Sequence, residues 1–209
     1  MKQVMRIPED YKQRLEELVD RARRIFQSQF IDGRHPILKE APFQHHFANI
    51  LSGLGTLYCT SREDMFLVDL ETKIENVKGK SKYIDITCGF PNAGVSCAIE
   101  LKFKTEQQGA QDHGRIDAYV DIEAVELVCK STFTIGRFFM ITDSRIYTKP
   151  SSRGVGTVFC MHDGFQVTPN VPIACPKSKG RENVEVVLSQ PYAFQWEESG
   201  DWYFLSISI

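Results

Sequence analysis

The stretch from Val95 to Lys104, VSCAIELKFK, alternates almost without fault. Val95, Cys97, Ile99, Leu101 and Phe103 fall on one side, and Ser96, Ala98, Glu100, Lys102 and Lys104 on the other. Successive side chains of a strand point to opposite faces, so the pattern predicts a strand with one apolar and one polar face. Such a strand needs pairing partners and a cover for its apolar face, which restricts the chain to folds built on a sheet. The preceding segment, Tyr83–Cys88, has the same texture: Ile84, Ile86 and Cys88 take the apolar side and Asp85 the polar one. Between the two, GFPNAG at 89–94 supplies turn residues.

Helices flank these strands. Ile7, Tyr11, Leu15, Leu18, Ala22, Ile25 and Phe26 recur at three- and four-residue steps and predict a helix opened by Pro8, with Glu9 and Asp10 beside it. Residues 31–40 interrupt it. A second helix is expected from about Ala41–Pro42 to Gly53–Gly55, followed by extended pieces at Leu57–Cys59 and Met65–Ile74. A third helix is expected over 111–130 and a buried strand over Arg137–Thr142. After Pro150 the pattern turns irregular and ends in a hairpin around EESGD that joins Phe194–Trp196 to Trp202–Ile209. The order predicts one α/β domain over 1–209: a central mixed sheet flanked by helices, its core at about 36–142, and a β-rich C-terminal part at 150–209.

Bulk properties narrow the functions less. Hydrophobic residues make up 42% of the 209 and charged residues 25%, as in an ordinary globular chain. A net charge of -2 argues against a general nucleic-acid coat, although a local basic surface would suffice for DNA. No segment reads as a secretory signal or a membrane span. The six cysteines are scattered without a CxxC pair, the usage of reduced thiols, and the expected location is cytoplasmic with no membrane partner.

The chemistry concentrates at the two strands. If GFPNAG folds them into a hairpin, position 85 pairs near position 98, and Asp85 lies diagonal to Glu100 on one face, at about 7–8 Å between backbones. Two carboxylates at that separation can share a divalent cation, and a hard cation such as Mg2+ takes oxygen ligands. Lys102 points the same way and can orient or activate a water or stabilise negative charge. A rival Glu71-Thr72-Lys73 has Asp69 only two residues upstream and Asp64 too near for a two-strand hairpin.

The set Asp85 … Glu100-Leu101-Lys102 resembles the motif of the PD-(D/E)XK nuclease superfamily, with Ile84 in place of the family's proline. The resemblance covers roughly residues 36–142. It implies a restriction-endonuclease-like core and catalysis by Asp85, Glu100, Lys102 and a helix-borne Glu, for which Glu40 is the candidate, with Gln44 one turn on. It further implies a metal held by Asp85, Glu100 and the Leu101 carbonyl, Mg2+ being the cofactor with Mn2+ substituting. Arg115 and Tyr119 are its supporting residues on the following helix. The implied activity is hydrolysis of double-stranded DNA by a homodimeric type II restriction endonuclease. A repair nuclease or junction resolvase with the same site, or a non-catalytic DNA-binding domain, are the alternatives. Lys78, Lys80, Lys82, Lys104, Lys177, Lys179 and Arg181 are candidate phosphate contacts. His45 and His46 are adjacent on a helix and diverge, so they predict no joint site. Trp196 and Trp202 are read as core or interface.

Overall fold

Asp10, rather than Pro8, starts the first helix. Its side chain accepts a hydrogen bond from the Gln13 amide at 2.8 Å, capping α1 (Tyr11–Ile31). The computed structural model describes residues 6–209. The second helix, α2 (Glu40–Tyr58), begins one residue before the expected start and runs past both glycines. The strand expected at Leu57–Cys59 is therefore the last turn of α2 and its cap. Gly55 serves close approach instead of termination: a Cβ there would lie 1.9 Å from the ring of Phe66.

Next come β1 (Leu67–Val77), β2 (Lys80–Phe90) and β3 (Val95–Lys104), then α3 (Gln111–Cys129) and β4 (Ile135–Thr142). The C-terminal part contributes short β5 (Ile173–Ala174) and β6 (Glu185–Val186), and the closing hairpin β7 (Trp196–Ser199) and β8 (Trp202–Ser208). The main sheet is six-stranded and mixed, in the order β1-β2-β3-β4-β8-β7. β3 and β4 are parallel, joined by α3, and the other neighbours are antiparallel.

Both faces are covered, so central β4 is buried along its whole length. On one face α1 and α2 pack Leu15, Leu18, Phe26, Phe43, Phe47 and Leu51 against Ile86, Cys97, Ile99, Leu101 and Phe139. On the other, Ile116, Tyr119 and Ile122 of α3 meet Phe138 and Met140 of β4 and the C-terminal Phe159, Phe194 and Leu205. The C-terminal part is fastened to α3 by buried acids: Glu123 accepts from the Val187 amide at 2.8 Å, and Glu126 from the Ser189 amide at 3.0 Å. Trp202 packs edge-on against Phe30, and Trp196 donates to the Met161 carbonyl at 2.7 Å, so both tryptophans are structural.

The β2–β3 hairpin is tighter than the sequence suggested. Gly89 and Phe90 belong to β2, the turn is a single 3-10 turn at Pro91–Ala93, and Phe90 pairs with Val95. Phe90 is drawn into the strand because its ring is buried, 1% exposed, beside Tyr11 and Phe66. Gly89 is required there: a Cβ would sit 2.3 Å from the Val95 carbonyl oxygen and 2.7 Å from the Ser96 Cα, both backbone atoms with little room to move. Gly89→Ala is expected to destabilise the fold by about 1–3 kcal/mol through this overpacking. Urea unfolding measures it, and an unchanged midpoint would show that the hairpin tolerates the methyl group.

Candidate functional site

The β2–β3 ladder runs from Phe90↔Val95 to Ile86↔Ile99 and then stops. Continued one step, this register puts Asp85 across from Glu100. The earlier expectation, position 85 near position 98, is two residues out, because 98 pairs with Thr87. Beyond Ile86 the strands part: β2 stays with β1, and β3 stays with β4. Asp85, Glu100 and Lys102 all sit at this fork.

The fork leaves amides of β3 without a strand partner, and carboxylates take them. Leu101 N–H donates to Asp85 Oδ2 at 2.7 Å, and Phe103 N–H donates to Glu40 Oε2 at 3.1 Å. Glu40 is the first residue of α2, where the helix dipole favours a negative charge. One turn later, Gln44 donates to the freed Asp85 carbonyl at 2.5 Å and to Glu71 Oε1 at 3.0 Å. The structure thus brings Glu40, Gln44, Asp85, Glu100, Leu101 and Lys102 together. The contact it shows for Leu101 is through the amide.

Face alternation in β2 breaks at Asp85, contrary to expectation. Ile86 and Cys88 face α1 and α2, whereas Ile84 joins Val125 and Val128 of α3. The Thr72 and Thr87 hydroxyls, on either side of the break, meet at 2.8 Å. Between the pairs Leu70↔Ile86 and Thr72↔Ile84 stands Glu71, with φ of 52°, a left-handed conformation that costs a non-glycine residue on the order of 1 kcal/mol. Opposite Glu71, Asp85 reaches across the fork to a β3 amide.

Glu100 and Lys102 behave as the alternation of β3 predicted and face α3. There they meet Asp121, which sequence reasoning missed. Lys102 Nζ lies 2.7 Å from Asp121 Oδ2 and 3.8 Å from Glu40 Oε1. Lys82 Nζ lies 2.9 Å from Asp121 Oδ1 and 3.2 Å from Glu100 Oε1. Glu100 is 2% exposed, and its Oε1 has the Lys82 ammonium nearby but no hydrogen bond of good geometry.

Apart from the exposed Glu71, four carboxylates, Glu40, Asp85, Glu100 and Asp121, therefore face two ammonium groups, Lys82 and Lys102. Burial, with Asp121 and Asp85 close by, pushes the Glu100 carboxyl well above its usual range. Burial, with Glu40 and Asp121 adding to it, raises Asp85 to about 6 against the opposing Leu101 hydrogen bond and the Lys102 charge. For both lysines burial disfavours the charge but the acids outweigh it. Lys82 is pushed up to about 12, and Lys102 is held above its ordinary value by Asp121 and Glu40.

Other candidates fall elsewhere. Arg115 and Tyr119 do share a face, but their polar atoms serve the chain that follows β4: Arg115 donates to the Ile146 carbonyl and Tyr119 to the Cys160 carbonyl, each at 2.5 Å. Lys78 is paired with Glu123 at 2.6 Å and Arg181 with Asp117 at 2.9 Å. Lys80, Lys177 and Lys179 are exposed and Lys104 is half-buried. His45 is exposed, and His46 stacks on His35 at 3.9 Å. No family model matches the chain, and no curated protein or solved structure is significantly similar to it.

Because folding raises the Asp85 pKa from 3.8 to about 6, the folded chain holds that proton more tightly than the unfolded one. Its stabilising contribution is present below the unfolded value and is lost as pH rises through about 6. Relative to Asp85→Asn, wild-type protein free of divalent cations is expected to lose about 2–3 kcal/mol between about pH 4 and pH 7. Urea unfolding across that window reads the difference, and parallel profiles for the two proteins would refute the assignment.

Proposed function

We propose that this chain is a Mg2+-dependent nuclease acting on double-stranded DNA, with Asp85, Glu100, Lys102 and Glu40 as its catalytic residues and a restriction-type endonuclease as its form. The observation that carries the reading is the charge balance at the fork. If all are ionised, the four carboxylates exceed the two ammonium groups by two negative charges, which one divalent cation would balance. The donors suit such an ion: they are hard oxygens, and Glu100 Oε1 is buried without a hydrogen bond. Among the described residues no three His, Cys, Asp or Glu side chains gather as a metal-binding cluster. Mg2+, which keeps several waters and takes one or two carboxylates, does not require one.

Asp85, Glu100 and the Leu101 carbonyl would hold the cation, which supplies charge for a phosphate oxygen and lowers the pKa of a bound water. Lys102, kept protonated by Asp121 and Glu40, acts as a hydrogen-bond donor and a positive charge toward the phosphate rather than as a base. Glu40 and Gln44 fix the α2 end of the fork. The exposed Lys80, Lys177 and Lys179, with Lys104, remain the candidates for backbone phosphates, and the restriction reading carries a homodimer with it.

The test is cleavage of plasmid and linear duplex DNA with Mg2+, with Mn2+ and with a chelator. Discrete fragments that vanish with chelator are expected. Glu100→Gln and Lys102→Met, chosen to preserve shape, should each lower the cleavage rate by roughly 10²–10³-fold or more. Cleavage confined to branched DNA would redirect the substrate to junctions. No cleavage of any DNA, or variants as active as the parent, would overturn the assignment.

A further inference from the structure

Two residues at the fork lie outside the Asp85, Glu100, Lys102 set: Lys82 and Asp121. Lys82 stands at the start of β2, just after a turn in which Lys78 and Gly79 both have positive φ. Its side chain bends inward to lie 3.2 Å from Glu100 Oε1 and 2.9 Å from Asp121 Oδ1, while neighbouring Lys80 stays exposed. The two lysines of the fork are placed differently. Lys102 bridges Asp121 and Glu40 with a side chain 13% exposed, whereas Lys82 is 28% exposed and keeps a path to solvent.

We propose that Lys82 is a tethered counter-ion of the metal site: its ammonium stands beside Glu100 Oε1 in the free protein, a divalent cation displaces it, and Asp121 holds it close meanwhile. The proposal rests on the nuclease reading for the existence of the metal site. Its physical basis is the cost of an unpaired buried carboxylate, which an internal cation removes when no metal is bound. The same cation repels an incoming metal, so it lowers metal affinity in exchange for an intact site. Asp121 is then a positioning residue, shared by the displaceable lysine and the permanent one.

Mn2+ binding to the full chain, measured by titration calorimetry on wild type, Lys82→Met and Glu100→Gln, separates the possibilities. Lys82→Met is expected to bind Mn2+ roughly tenfold more tightly than wild type, and Glu100→Gln to lose binding. If Lys82→Met binds no more tightly while Glu100→Gln still loses the ion, the counter-ion role falls and the metal site stands. If neither wild type nor Lys82→Met binds Mn2+, both fall. Lys82→Met strips a buried carboxylate of its partner and its folding is at risk, so a second measurement uses wild type alone. Lysine acylation by a succinimidyl ester, read by peptide mass spectrometry, should increase severalfold at Lys82 when Mg2+ is added and stay unchanged at Lys80. Equal Lys82 labelling with and without Mg2+ overturns the proposal.

Discussion

Where two strands of a sheet part, their backbone groups must find other partners, and that requirement organises this molecule. After Ile86 and Ile99 the ladder between β2 and β3 ends, leaving amides of β3 facing the gap. A buried amide without an acceptor costs about 1–3 kcal/mol. Asp85 and Glu40 supply the acceptors and Gln44 answers the Asp85 carbonyl. Carboxylates do this better than neutral groups, since charge-assisted hydrogen bonds are the stronger ones. They also import negative charge into a half-buried space, and the lysines follow from that.

The two covered faces of the sheet hold the fork open. α1 and α2 press on one side and place Glu40 through the start of α2; α3 presses on the other and places Asp121. Because the C-terminal part packs over the far side of α3, that helix is buried nearly all round, and Asp121 sits at 6% exposure in a low-dielectric layer. There its attraction for Lys82 and Lys102 is stronger than at a surface, and so is the cost of losing either partner. The C-terminal part thus reaches the fork indirectly, by burying the helix that carries the acid.

How far this was legible varies with the range of the forces involved. β3 was read to its exact ends, Val95 and Lys104, because alternation is local and its apolar face is continuous. The order of helices and strands followed for the same reason, and so did the shared face of Glu100 and Lys102. The register of the hairpin differs from the expectation by two residues: Gly89 and Phe90 look like turn residues, and the distant Tyr11 and Phe66 draw Phe90 into the strand. The face break at Asp85 lies opposite the left-handed Glu71 on another strand, and no pattern within Tyr83–Cys88 announces it. Asp121 was hidden among Asp117, Glu123 and Glu126 on the same helix, all of which prove to be engaged with the rest of the chain. The one available signal was an acid set between Val120 and Ile122 in an otherwise apolar stretch, a sign that the helix is buried on more than one side.

The strain at Glu71 belongs to the same logic. A left-handed residue inside an edge strand is unfavourable by itself, and it stands opposite the point where β2 changes face, Ile84 and Lys82 toward α3 and Ile86 and Cys88 toward α1 and α2. Without the break, regular alternation would put Lys82 and Ile84 on the face of Ile86, leaving Glu100 without the Lys82 ammonium beside it. The local cost is on the order of 1 kcal/mol, smaller than the several kcal/mol that a buried carboxylate loses with its partner. One change of face in β2, opposite a strained residue of β1, thereby brings the Lys82 ammonium to a site assembled from β2, β3, α2 and α3.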